Sequence, residues 1–407
     1  RLYGIRTYST LGSGERIKAG SEYDEVVLDE FLRRHEGEYR KFSVELVLRR
    51  LHQANLKQID SEKALVQAFD ALDQTDYWRA ATIELMARYD REKRLRPHLV
   101  KFRRQLEEAL LDEATIAWIV EAVRFDDHPL LEKANVFLFA RRWDGKLETA
   151  VKTSEKIASE ARAFREGGRG AAPDYSQTLS HFSSDLLAQL YREARQRLPY
   201  AGLDTFIRLS EGIPRNLLNI LSHIYRRATF AGERPFASGL ISVGSQTDGV
   251  LAGAQSFWDE AQPDENAPEV RDSIEGLALL FRSIRFSDAP SECDIFTFSV
   301  NFEKLNERSK VLLRTAENWS HLIRISRGAK NRNHRAIDAK FQLAPMLAPR
   351  WELSHDRRGS IELQTDLANA LFDPESRDNL VQLVRSRVRD MYAPRIWNRD
   401  TPQAALL

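Results

Sequence analysis

Between residues 38 and 166 apolar side chains return every three or four positions almost without interruption. The sets are Val44/Leu48/Leu51, Ile83/Met86/Ala87, Leu106/Ala109/Leu110, Ile116/Ile119/Val120/Val123 and Leu130/Leu131/Phe137/Leu138. That spacing is the period of an α-helix with one buried face, and it predicts a mainly α chain. Breaks fall near Gln58–Ser61, Arg96-Pro97, Asp126–Pro129 and Asp144-Gly145, where turn formers and proline interrupt the pattern. No function follows from these helices alone. The chain has 407 residues, 42% hydrophobic and 30% charged, which is enough apolar material for two to four folded domains with charged outer faces. No apolar run reaches membrane-spanning length and no secretory h-region opens the chain, so a cytoplasmic protein with no membrane partner is expected. The single cysteine, Cys293, excludes an intrachain disulfide and a cysteine-cluster metal site. A net charge of +1 means that any nucleic-acid binding must come from local patches.

Glu166-Gly167-Gly168-Arg169-Gly170-Ala171-Ala172-Pro173 has the composition of a flexible linker and marks a boundary. A helix over about 175–197 follows, with Leu179, Phe182, Leu186, Leu190 and Ala194 on one face. Next comes Gly212-Ile213-Pro214-Arg215-Asn216. Glycine frees the chain after the preceding helix, and proline suits the first helical turn, where a missing N–H does no harm. Arg215 therefore sits at a fixed helix start, and Leu217, Leu218, Ile220, Leu221 and Ile224 supply the face that locks it to a core. The plain reading is an ordinary Gly-Pro start with a solvent-facing arginine. A helix over 241–261 closes this unit, and Gln262–Pro268 forms a second linker.

Beyond it the pattern orders as helix 268–285, strand 295–300, helix 302–318, and two strand-like runs at 322–327 and 337–343. Arg324, Arg327, Lys330, Arg332 and Arg335 fall on this hairpin with no acid between them. Such a tip either lies along a phosphate backbone or is a solvated turn whose cations guard the edge against aggregation. Lys304, Asn306, Arg308, Lys310 and Arg314 on helix 302–318 are diluted by Glu303, Glu307 and Glu317, so backbone contact is favoured over base reading. Arg385, Arg387 and Arg389 in a closing helix near 376–391 either extend the basic surface or form a solvated face. Arg141-Arg142-Trp143 reads either as an arginine finger or, by a wide margin, as a solvated basic helix end.

Catalytic constellations are missing. No HExxH, GxSxG or paired metal spacing occurs among the nine histidines and the acids. Gly12-Ser13-Gly14 lacks the lysine and hydroxyl of a phosphate loop, and any Walker A would lie before Arg1. Val26-Val27-Leu28-Asp29-Glu30 reads either as a Walker B strand or, more simply, as a strand end running into a helix at 29–35.

The Gly-x-Pro-Arg-x-Leu-Leu start at Gly212 resembles the sensor-2 motif of AAA+ ATPases, closest to bacterial relatives of the origin-recognition (ORC-type) family. With the helix–strand–helix–hairpin order after it, the resemblance covers about 175–350. Leu2–Thr7, with Arg6, looks like the sensor-1 strand of such a core. The resemblance implies a mainly α protein with the remnant of an α/β AAA+ core at 1–37 and a helical region and linker at 38–174. It implies a helical lid at 175–262, a winged-helix domain at 263–347 and an extension at 348–407. It further implies Arg215 and Arg6 on nucleotide phosphate, ATP with magnesium as cofactor if a parent protein has an upstream phosphate loop, and the hairpin cations on double-stranded DNA. Homo-oligomers or protein partners, and roles in DNA remodelling, mobile elements or phage defence, belong to the same expectation. The alternatives are a non-enzymatic adaptor with a degenerate lid and a sequence-specific regulator.

Overall fold

The computed structural model describes residues 8–9, 16–17, 28–69, 76–237, 239–260, 263, 266–325, 339–356 and 358–392. The chain is mainly α, as its periodicity predicts. Two short strands, β1 (Tyr8–Ser9) and β2 (Arg16–Ile17), pair antiparallel at the start. Helices α1 (Leu28–Arg34), α2 (Glu36–Gln53) and α3 (Glu62–Gln67) follow. Leu28, Asp29 and Glu30 open α1, so the acidic pair sits in a helix, while Val26 and Val27 of the Walker B reading lie outside the described residues.

Next come α4 (Asp76–Arg91), α5 (Pro97–Glu108), α6 (Glu113–Val123), α7 (Pro129–Arg142), α8 (Leu147–Gly167) and α9 (Pro173–Glu193). Their starts are local chemistry: Pro97, Pro129 and Pro173 occupy the first turn, and the Asp112 carboxylate accepts the Thr115 N–H at 3.0 Å. Leu99, Phe102, Ile119, Phe137, Phe139, Ile157, Tyr175 and Phe182 close one core among α5 to α9. The Gly-rich segment expected to be a flexible linker is a short 3-10 turn at Gly168–Gly170, and α9 packs on α7 and α8 beyond it. The division at 174/175 therefore runs through the middle of this core.

A second core gathers the rest, and it includes α1 to α3. Phe69, after α3, meets Phe206 and Phe236 edge-on with ring centres 5.3 and 5.6 Å away. The Ile241 N–H donates to the Ala68 carbonyl at 2.9 Å. Thus the expected helical region 38–174 is divided between two cores: residues 28–69 pack with helices α10 (Leu203–Ser210), α11 (Pro214–Phe230) and α12 (Val243–Glu260).

Helix α13 (Ala267–Arg285), β3 (Ile295–Val300), α14 (Glu307–Asn318), β4 (Leu322–Ile325) and β5 (Ala339–Leu343) come in the predicted order. Strand β6 (Gly359–Glu362) and helices α15 (Thr365–Phe372) and α16 (Leu380–Val388) complete the chain. The sheet order is β4-β5-β3-β6. The β3/β5 and β4/β5 pairs are antiparallel, with Phe298 opposite Phe341 and Ile323 opposite Gln342, while β6 runs parallel to β3. Phe298 stacks on both Phe341 and Phe372, which fastens the sheet to α15. Among the described residues no helix is long and apolar enough to cross a membrane.

Candidate functional site

Helix α10 ends in a turn that few sequences could make. Glu211 and Gly212 both have left-handed backbone, φ 39° and 73°, a conformation glycine adopts without steric cost. The Ser210 hydroxyl donates to the Ile207 carbonyl at 2.7 Å and accepts from the Tyr39 hydroxyl at 2.6 Å. Burial pushes the Tyr39 phenol up, which keeps it protonated as that donor. The buried Glu211 carboxylate accepts the Gln342 Nε2 of β5 at 2.6 Å. The turn is thus tied to α2 on one side and to the sheet on the other. Pro214 then opens α11, with Leu217, Ile220, Leu221, Ile224 and Ala228 buried.

Arg215 leaves this fixed start toward solvent. Its side chain is 73% exposed, and its only ionic partner among the described residues is Glu260, 3.5 Å away and itself exposed. A pair of that kind holds an arginine loosely. The guanidinium opens a groove of about 410 Å³ between the outer faces of α11 and α12, lined by Arg215, Asn219, Ser222, His223 and Arg226 with Ser256 and Glu260. The helices approach closely because α12 presents glycine: a Cβ on Gly249 would lie 2.5 Å from the Ile224 backbone. Burial, then the charges of Arg226 and Arg227, push the His223 imidazole below its ordinary value, with Glu260 opposing. Asn219 Oδ1, buried in the groove wall, has no hydrogen-bond partner.

This donor set suits phosphate oxygens, which two guanidiniums can grip. It does not suit magnesium. Glu260 is the groove's only acid, and no group of three metal-ligating side chains occurs among the described residues.

None of the other expected cations among the described residues lines this groove. Arg324 is held by Glu317, whose carboxylate accepts its Nε at 3.2 Å and its Nη2 at 3.0 Å, and its guanidinium lies 4.8 Å from the Phe341 ring centre. It braces β4 against α14. Arg6, Arg327, Lys330, Arg332 and Arg335 lie outside the described residues. On α14, Arg308 pairs with Glu269 at 3.3 Å and Lys310 with Glu307 at 2.7 Å, so its cations are partly neutralised. Arg141 stacks on Phe137 and Phe182, and Arg142 pairs with Glu160 at 2.6 Å, which ties this helix end to its own core. Arg385, Arg387 and Arg389 are exposed.

His223, Arg226 and Glu260 escaped the sequence reading. The available signal was the composition of α11, PRNLLNILSHIYRRATF, which contains no acid. Glu260 could not be placed beside Arg215 without knowing that α12 returns antiparallel along α11.

A family model described as ORC-CDC6-like matches residues 1–363, a span that takes in the Ser210–Arg215 turn, the groove and the whole sheet. No curated protein and no solved structure matches. The chain belongs to the ORC-CDC6-like family, which is the ORC-type AAA+ kinship that Gly212–Arg215 resembles.

Proposed function

We propose that this chain is a nucleotide-responsive DNA-binding protein of the cytoplasm, acting with a phosphate-sensing arginine and not as a self-contained ATPase. The observation that carries the reading is Arg215: a tied turn fixes its backbone, while its side chain faces a phosphate-compatible groove with one weak partner at 3.5 Å. Family membership supports the same assignment. An arginine so placed gains most from a polyanion, because the exposed Glu260 pair is easily exchanged for a stronger bidentate contact. Arg226 would take a second phosphate. ATP would bring its own magnesium, since the groove offers one carboxylate.

The DNA contact falls to the hairpin between β4 and β5, whose Arg327, Lys330, Arg332 and Arg335 would form a winged-helix tip along duplex phosphates. Arg324 would act from behind by holding the hairpin base. Binding of this sort is salt-dependent and largely indifferent to sequence. DNA remodelling in a mobile-element or phage-defence setting, with a homo-oligomer or protein partner, fits such a protein.

The nucleotide half is tested by titrating a fluorescent ATP analogue into the full chain and into Arg215→Ala. Saturable binding that weakens about tenfold or more in the variant is the expected result. Binding indifferent to Arg215, or no binding, would remove the nucleotide role and leave the adaptor reading in its place.

A further inference from the structure

Helix α11 carries more than Arg215. Between Pro214 and Phe230 it has three arginines and a histidine and not one acid, in a chain whose net charge is only +1. Arg226 and Arg227 are exposed and have no hydrogen-bond or ionic partner among the described residues. Two aromatic side chains accompany them on the outside: Tyr225 is 44% exposed and Phe230 90% exposed. A phenylalanine so exposed gains nothing from the fold.

The positions form a track. Arg215, Asn219, Ser222, Arg226 and Phe230 follow steps of three and four, so they lie on one stripe of the helix, about 22 Å long at 1.5 Å per residue. From Arg215 to Arg226 the stripe lines the groove between α11 and α12, past Ser256, with Glu260 at the Arg215 end; Phe230 continues it beyond the groove, and Tyr225 and Arg227 flank it on either side. Just beyond its other end, three residues after Phe230, stands Glu233. That carboxylate is occupied: it accepts from the Ser242 and Ser245 hydroxyls at 2.6 and 2.7 Å and caps α12.

We propose that the outer face of α11, from Tyr225 to Phe230, binds single-stranded nucleic acid, with Arg226 and Arg227 on phosphates and Tyr225 and Phe230 stacking on bases. The argument is chemical complementarity. Guanidiniums beside exposed rings match a strand that offers both phosphates and unpaired bases, whereas a duplex hides its base faces. A membrane surface would call for a free apolar helix face, and that of α11, with Leu217, Ile220, Leu221 and Ile224, is buried in the core. With charges spaced roughly 3.4 Å or more along a strand, the roughly 8 Å of helix axis from Tyr225 to Phe230 faces about two phosphates. This site shares Arg226 with the nucleotide reading but needs neither Arg215 nor the β4–β5 hairpin, and Tyr225, Arg227 and Phe230 belong to it alone, so either reading can fail without the other.

The test is fluorescence anisotropy of labelled oligo-dT, about twenty nucleotides long, with the full chain at salt from about 50 to 200 mM. The double variant Arg226→Ala/Arg227→Ala should bind at least tenfold more weakly and with a shallower salt dependence. The double variant Tyr225→Ala/Phe230→Ala should bind about tenfold more weakly with the salt dependence unchanged, because stacking releases no counterions. All four side chains are exposed, so melting temperatures should match wild type. Oligo-dT binding unaffected by both variants, no oligo-dT binding by wild type, or wild type binding vesicles of phosphatidylcholine and phosphatidylserine in its place would each overturn the site. A parallel variant with Arg327, Lys330, Arg332 and Arg335 changed to alanine should lose duplex DNA and keep oligo-dT, which separates this inference from the hairpin reading.

Discussion

Glu132 is fully buried in α7, and every oxygen of its carboxylate is used. Oε1 accepts from Arg96 Nη1 at 3.0 Å and from His98 Nε2 at 2.6 Å, and Oε2 accepts the Phe125 N–H at 2.9 Å. Burial alone would raise its pKa, but the His98 hydrogen bond and the charges of His98 and Arg96 outweigh it and hold the carboxyl below its ordinary value. A carboxylate depressed in the folded state contributes stability that is complete above its unfolded value, near pH ~4.3, and is lost as pH falls through the folded value. Glu132→Gln should therefore cost about 1.5–3 kcal/mol at neutral pH by urea unfolding, since it removes a buried charged acceptor while Asp90 still holds the Arg96 Nε and Nη2 at 3.0 Å. The gap from wild type should narrow below about pH 4. None of this was legible in Leu131-Glu132-Lys133-Ala134, where an acid beside a lysine reads as a solvated helix face. Arg215 was legible because its constraint is local: glycine, proline and the helix start all lie within four residues.

At the scale of elements, helix existence and most boundaries followed from periodicity and proline, but burial within them did not always follow. Leu110 was read into the apolar stripe of its helix, yet α5 ends at Glu108, and Leu110, with left-handed φ 61°, is 85% exposed. The 3.6 period continues past a helix end in sequence but not in space. Conversely, a glycine inside a helix carries no sequence signal of a packing role, and the purpose of Gly249 in α12 appears only beside α11. Gly249→Ala would place Cβ 2.5 Å from the Ile224 Cα and should destabilise by about 1–3 kcal/mol or more, as overpacking does. Gly244→Ala, on the same helix, meets nothing closer than the Ser242 Oγ at 3.9 Å and should stabilise by about 0.5–1 kcal/mol through reduced chain entropy. Thermal unfolding of the two single variants distinguishes a packing glycine from an incidental one.

At the scale of the whole molecule, what the sequence hid was which segments share a core. Helices α1 to α3 pack with α10 to α12 although more than a hundred residues separate them, and periodicity carries no information about partners. The two cores meet at Asp185 of α9 and Arg285 of α13. Asp185 Oδ1 lies 3.0 Å from Arg285 Nε, its Oδ2 accepts the Asp294 N–H at 2.8 Å, and Gln189 Nε2 donates to the Arg285 and Ser287 carbonyls. Complete burial pushes the Asp185 carboxyl up to about 7, against the opposing charge of Arg285. An acid raised in the folded state holds a proton that the unfolded chain has released, so its contribution falls as pH rises from about 4 to about 7 and is level above that. Asp185→Asn, which cannot lose a proton, should abolish that decline in a pH series of urea unfolding.

The duplex DNA binding proposed for this member of the ORC-CDC6-like family rests on phosphate contacts from the β4–β5 connection. Its most direct test is the salt dependence of binding to random duplex DNA, for wild type and for the variant with Arg327, Lys330, Arg332 and Arg335 changed to alanine. The account predicts wild-type affinity falling steeply with salt, and a variant that binds more weakly with a slope reduced by roughly 0.9 for each lost phosphate contact. No duplex binding by wild type, or identical affinity and slope in the variant, would contradict it.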